Sequence, residues 1–305
     1  MNQRRTFSYA KYGYLFSIPF IVVFCIFNLY PTIYTAILGF TDCKGLGNTD
    51  WNFLVEEPFK NFQNILKNPS FITSVKNTFK IWIMNFIPQI TLALLLTAWF
   101  TSRRNTLKGQ GFFKVVFYMP NIITAASIAI LFNALFGYPM GPVNDFLVSS
   151  GLREGPFAFI DSKFASQCIV AFIQFWQWYG YTMIILISGV LGINPEIYEA
   201  AELDGANDIQ MFFQVTIPNL KTILLYTLIT SLIGGLTMYD IPRLFNDGKP
   251  DNATLTATMF IHNQAFKGSY MYNRAAAASL LIFAIVAACS AVVFFLMRDK
   301  KGERR

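Results

Sequence analysis

Between Ala275 and Met297 the chain carries no charged side chain, and five other stretches of similar length are almost as apolar. A run of roughly 20 apolar residues is long enough to cross the hydrocarbon core of a bilayer as a helix. Inside lipid every backbone N–H and C=O must find its partner within the protein, so such runs fold as helices. The stretches lie at about 14–40, 75–100, 113–136, 164–193, 220–241 and 274–297. The predicted fold class is an all-α integral membrane protein with six transmembrane helices, one membrane domain over residues 1–305. Charged residues make up only 13% of the chain, about half the share in a soluble domain.

The basic residues set the expected orientation. Arg4, Arg5 and Lys11 precede the first run, Arg103, Arg104, Lys108 and Lys114 fill the loop between the second and third, and Arg298, Lys300, Lys301, Arg304 and Arg305 follow the last. With six spans these three groups fall on one side, and Lys and Arg in short loops mark the cytoplasmic side. Both termini are therefore expected in the cytoplasm of a bacterial cell. The same flanking charge accounts for the net charge of +7, so no nucleic-acid partner is expected. The first run is too long for a cleaved signal and lacks a small-residue cleavage site, so it reads as a retained span. Cys25, Cys43, Cys168 and Cys289 have no metal-ligand spacing. There is no Gly-rich phosphate loop ending in Gly-Lys-Ser/Thr.

One polar stretch, 194–218, interrupts the apolar pattern between the fourth and fifth spans. Asn194 suits an N-cap and Pro195 the first helical position. Glu196 and Glu199 sit where the helix dipole favours negative charge. Gly205 can end the helix in a left-handed conformation. Asn207 or Asp208 can cap a second short helix, which Pro218 stops, or Pro218 begins the next span. Ile197, Ala200 and Ala201 share one side of the first helix; Tyr198, Glu199 and Glu202 point away from it. Counting spans places this stretch on the cytoplasmic side.

Glu199-Ala200-Ala201, then Gly205, then Val215, Ile217 and Pro218, resemble the EAA loop of ABC importer permeases. The likeness continues in Tyr30-Pro31, Phe40-Thr41-Asp42, Asn77-Thr78, Phe112-Phe113-Lys114 with Met119-Pro120, Gly141 to Leu147, Asn246 to Thr254, Ala265-Phe266 and Tyr272 to Ala278. It favours the carbohydrate-uptake permeases, and among them the first of two paired permeases. Val215 and Ile217 replace Ile and Leu of the family pattern, and Lys249 replaces a glycine. The resemblance implies a type I ABC importer permease fold with a cytoplasmic coupling helix. It also implies a second homologous permease, two ATP-binding cassette subunits and an extracellular solute-binding protein as partners. ATP and Mg would then sit on the ATPase, leaving this chain non-catalytic and without a cofactor of its own. Glu199 is implied as the charged contact with the ATPase, with Ala200, Ala201, Asp204 and Gly205 shaping the docking surface.

A carbohydrate offers hydroxyls and apolar C–H faces, so its pathway wants aromatic platforms and neutral hydrogen-bonding groups. Polar residues within a span tend to face a cavity or the bundle interior. Gln174, Trp178 and Tyr181 recur at helical spacing on the fourth span, and Ser231, Gly235 and Met238 on the fifth, with Tyr239 and Asp240 beyond them. These are the expected pathway residues, helix–helix packing being the alternative. Asn85 and Gln89, flanking Pro88, read as packing or a kink. The leading function is import of a sugar or oligosaccharide. A polyol, a glycerophosphate or another small solute is the alternative within the class, and an ion-coupled secondary transporter the alternative outside it. A phosphorylated solute would want Arg or Lys in the pathway, and a secondary transporter would want buried acids in the spans; the spans are nearly free of basic residues away from their ends, and no carboxylate lies well inside one.

Overall fold

The computed structural model describes residues 10–48, 50–102, 108–268 and 270–298. Arg4, Arg5, Arg103, Arg104, Lys300, Lys301, Arg304 and Arg305 lie outside the described residues. Among the described residues the architecture is helical, with one isolated antiparallel bridge between Thr41 and Phe53. Five helical stretches are long and apolar enough to cross a membrane: Tyr12–Leu38, Pro69–Thr101, Lys163–Leu191, Lys221–Asn246 and Tyr272–Met297. A bent pair makes six if counted as one span. The chain divides into two compact units, residues 1–67 with 261–281, and residues 68–260 with 282–305.

The first unit begins with α1 (Ala10–Phe24), a π-helical turn (Cys25–Leu29) and α2 (Tyr30–Leu38) in one continuous run. None of the apolar window in this run is buried, as suits a surface that faces lipid or another chain. Its end is tied down by polar bonds. Asn61, on α3 (Lys60–Leu66), donates to the carbonyls of Gly39 and Thr41 at 2.9 and 2.8 Å, and accepts from Asn273 Nδ2 at 3.2 Å.

The second unit is built on α4 (Pro69–Thr101) and, later in the chain, α8 (Lys163–Leu191). Asn68 caps α4 by accepting from the amides of Ser70 and Phe71, with Pro69 at the first helical position, and Ser162 caps α8 through the amide of Ala165. With 33 and 29 residues, they run about 50 and 44 Å at 1.5 Å per residue, enough to cross the hydrocarbon core. They pack along their length: Ala93, Leu96 and Phe100 meet Tyr179, Met183, Leu186 and Ile187. Gln89 Nε2 donates to Thr182 Oγ1 across the seam at 2.8 Å. An interhelical bond of this kind contributes on average only about 0.6 kcal/mol in a bilayer, so close packing does most of the holding.

The stretch 113–136, read from sequence as one span, falls on two helices. α5 (Gln110–Ile122) and α6 (Ala125–Leu135) meet at 88°. Pro120 lies in the last turn of α5, Ile123 is extended, and Thr124 restarts the helix by accepting from the amide of Ser127. The exposed backbone of the break is bonded to α8: Gln177 donates to Ile123 O, and Asn121 donates back to Gln177 O, both at 3.3 Å. Nearby, α5 and α8 touch backbone to backbone at Gly180, where a Cβ would lie 2.1 Å from the carbonyl oxygen of Phe117. Beyond a short helix α7 (Pro142–Ser149) and α8 itself come α9 (Pro195–Leu203), α10 (Asp208–Gln210), a π-helical turn (Met211–Thr216), α11 (Ile217–Asn219) and α12 (Lys221–Leu236). α13 (Asp240–Asn246), α14 (Ala257–Phe266) and α15 (Tyr272–Met297) complete the chain.

The stretch 247–256 is clamped onto this unit. Asp247, Asp251 and Asn252 take positive φ, which Asp and Asn tolerate better than most residues. Asn77 donates to the carbonyls of Asn252 and Leu255, Gln167 to that of Ala253, and Lys80 to Gln167 Oε1 at 2.6 Å.

Candidate functional site

A cavity of about 500 Å³ lies among α4, α8, α12 and the segment leading into α13. All eight expected pathway residues line it: Gln174, Trp178 and Tyr181 from α8, and Ser231, Gly235, Met238, Tyr239 and Asp240 from α12 and the residues after it. The spacing that groups them in sequence therefore groups them in space. The cavity also takes in Asn85 and Gln89, which the sequence suggested as packing or kink residues, and a set of polar groups that sequence did not single out: Gln177, Thr182, Tyr226, Thr227, Thr230 and Thr237. Their signal was available, since Thr227 and Thr230 sit one turn before Ser231 and Gly234 in an otherwise apolar helix.

Apart from Asp240 the lining side chains are uncharged, and Trp178, Tyr181, Tyr226 and Tyr239 are aromatic. The rings of Trp178 and Tyr181 stand perpendicular, with centroids 5.7 Å apart. Gly235 has a packing reason for being glycine as well as a place on the wall. A Cβ there would fall 1.9 Å from Cδ1 of Trp82, whose ring stacks on Phe86. α12 stops at Leu236, and the carbonyl of Met238, freed by the break, accepts from Thr256 Oγ1 at 2.9 Å. A buried backbone group is thereby satisfied while Tyr239 and Asp240 turn onto the cavity.

The two helices that supply most of the wall, α8 and α12, are joined by the polar stretch. Asn194 caps α9 by accepting from the amide of Glu196, with Pro195 at the first helical position, and Gly205 takes φ +81° after Asp204. Asn207 and Gln210 form a reciprocal capping box, each side chain bonding the other's amide at 2.9 Å. Beyond it the helix passes through the π-helical turn and Pro218 without stopping until Leu220. Glu199, Ala200, Asp204 and Gly205 are exposed, Ala201 is half-buried, and Ile197 is exposed beside Ala200. Tyr198 is buried on the other side, its hydroxyl 3.0 Å from Thr216 Oγ1, in a small core with Val190, Met211 and Leu220. A hollow of about 730 Å³ runs beside this core, lined by Trp99, Phe100, Phe212 and Phe213 among others.

A helical membrane unit of this kind, with a polar loop between the two helices that wall its cavity, has known relatives. Residues 78–299 match the model of the family described as the inner membrane component of binding-protein-dependent transport systems. The chain belongs to that family. The permease is 30% identical over 295 residues to the lactose transport system permease protein LacF of Rhizobium radiobacter, covering 96% of both chains. It is 27% identical to the arabinooligosaccharides transport system permease protein AraP of Bacillus subtilis, covering 95% of this permease and 90% of that one. Among solved structures it resembles a bacterial ABC transporter involved in import of the acidic polysaccharide alginate. The TM-score is 0.76 at 21% identity, with 93% of the permease and 94% of that chain covered. It also resembles a bacterial alginate ABC transporter solved in complex with an alginate pentasaccharide-bound periplasmic protein, with a TM-score of 0.75 at 21% identity and 93% of each chain covered. The fold is that of an ABC importer permease.

Proposed function

We propose that this permease is one of two membrane subunits of an ATP-driven importer that moves a sugar or oligosaccharide from an extracellular binding protein into the cytoplasm. The observation that carries the reading is structural. The aromatic and neutral polar residues of α8 and α12 share one cavity, and these same two helices are joined by the exposed loop at 194–218. Any force on α9 reaches the cavity wall through the helices attached at each end. In this reading both termini and the loop are cytoplasmic, and Glu199, Ala200, Ala201, Asp204 and Gly205 meet one of two ATP-binding cassette subunits. ATP and Mg stay on those subunits, and a second permease supplies the other half of the pathway. The names of the relatives support a sugar as cargo. Among the described residues no Lys or Arg lines the cavity, which counts against a glycerophosphate, since phosphate recognition draws on cationic side chains.

The test is solute-stimulated ATP hydrolysis and uptake in membranes reconstituted with the full set of subunits, wild type against Glu199→Arg. The substitution is expected to weaken assembly with the ATPase and abolish coupled uptake while the protein still inserts. Hydrolysis and uptake unchanged in the mutant would remove the coupling role of α9. Uptake that survives without the ATPase subunits would establish an ion-driven transporter instead.

A further inference from the structure

The hydrogen-bonding sense of the cavity wall says more than its neutrality. Four threonines line it, and each turns its proton back to its own helix: Thr182 to Trp178 O at 3.1 Å, Thr227 to Ile223 O at 2.8 Å, Thr230 to Tyr226 O at 2.8 Å and Thr237 to Ile233 O at 2.7 Å. A hydroxyl so used keeps only lone pairs for a ligand, and at Thr182 one of these already accepts from Gln89 Nε2. Among the lining residues the one carboxylate is Asp240, and no Lys or Arg faces it from the wall. Among the described residues no ion pair takes up Asp240, and its neighbour Arg243 pairs with Asp247 instead. Asp240 opens α13; a helix start carries about half a positive charge, which leaves the full negative charge of the carboxylate only partly offset.

We propose that Asp240 and these threonines make the wall a filter against acidic sugars, accepting hydroxyl-rich neutral saccharides and rejecting uronates. This rests on the sugar-importer reading above and adds the charge of the cargo to it. A sugar hydroxyl can donate to every acceptor the wall presents. A uronate carboxylate can only accept, from wall donors such as Gln174 and Trp178, and it brings a like charge toward Asp240. Two like charges about 6 Å apart at an effective dielectric near 20 would discriminate roughly a hundredfold, and the exposure of Asp240 lowers this to about tenfold. Sharing a fold with an alginate importer does not argue otherwise, because the fold does not fix the charge of the site.

The experiment measures binding to the complete solubilised importer, with the external binding protein omitted, by titration calorimetry. The probes are lactose, maltose, digalacturonate and the dimethyl ester of digalacturonate; the last two share a skeleton and differ in charge. The expected result is that the ester binds about tenfold more tightly than the free acid. Asp240→Asn should bring the two within about twofold, and Asp240→Glu should keep them apart. In the wild type, which needs no mutant to fold, the gap should narrow as salt is raised, because an exposed charge is screened. Equal binding of acid and ester by the wild type overturns the filter, as does a gap that Asp240→Asn and high salt both leave intact. Failure of the wild type to bind any neutral probe, the ester included, would instead overturn the sugar reading and the filter with it.

Discussion

The cavity wall and the loop that joins its two helices are held in different ways. α8 and α12 have 29 and 16 residues, and α8 is seated against α4 and α5 along most of its length. The helices of the loop have 9, 3 and 3 residues, a core of four buried side chains and a hollow of about 730 Å³ at their side. Long packed helices fix polar groups relative to one another, as a binding surface requires. Short helices held by a few bonds can be displaced as a piece, as a contact with a moving partner requires. Regions with few buried contacts open at lower free energy than the packed core. Perturbing the wall therefore endangers the stability of the whole unit, whereas the stability cost of perturbing the loop stays local.

The same alteration made in both regions gives the largest expected contrast. Gly180→Ala sets a Cβ against the backbone of Phe117, which cannot move without opening the contact between α5 and α8. The expected loss is about 3 kcal/mol, at the upper end for overpacking, read as a fall in the thermal midpoint of the detergent-solubilised protein. Gly205→Ala meets open space and strains only a residue at φ +81°. Its expected loss is about 1 kcal/mol, the ordinary penalty for a side chain in the left-handed region. Equal losses at the two sites would mean that loop and wall are held alike.

Tyr198→Phe tests the loop from inside. It removes the hydroxyl that bonds Thr216, while Thr216 keeps its 3.3 Å bond to the carbonyl of Met211. A single bond of this kind is worth about 1 kcal/mol. Amide hydrogen exchange should quicken in α9 and the π-helical turn and stay unchanged in α8 near Met183 and Leu186. Equal quickening in α8 would mean that loop and wall open as one unit, and the difference drawn between them would fall.

What could be read in the sequence follows the same division. Gln174, Trp178 and Tyr181 stood out because polar and aromatic groups at helical spacing are conspicuous in an apolar helix, and they do share the cavity. The cap at Asn194, a second cap at Asn207 or Asp208, which the structure places at Asn207, and the turn at Gly205 were legible because capping depends on neighbours in the chain. The 88° break at 122–125 was not, since both sides are apolar and the bonds that stabilise it come from Gln177, more than fifty residues away. Asn85 and Gln89 read from sequence as packing or a kink, yet both line the cavity. Gln89 has both roles, bonding Thr182 across the seam and lining the cavity. Which side of α9 lies inward was fixed by Thr216, eighteen residues beyond Tyr198, and short-range periodicity does not reach that far.

A change confined to the loop should cost least of all. Asn207→Ala removes one half of the capping box at the start of α10, where both side chains are exposed. An N-cap contributes about 0.5 to 2 kcal/mol. The lower figure is expected here, since α10 runs directly into the π-helical turn that Met211 and Thr216 anchor. Global stability should hardly move, and exchange of the amide of Gln210 should quicken several-fold. Asn207→Asp, which keeps an oxygen to accept from that amide, should restore the wild-type rate. A global loss as large as that of Gly180→Ala would mean that the cap nucleates the whole helical run into α12, making the loop a structural element of the cavity wall rather than a separable lever.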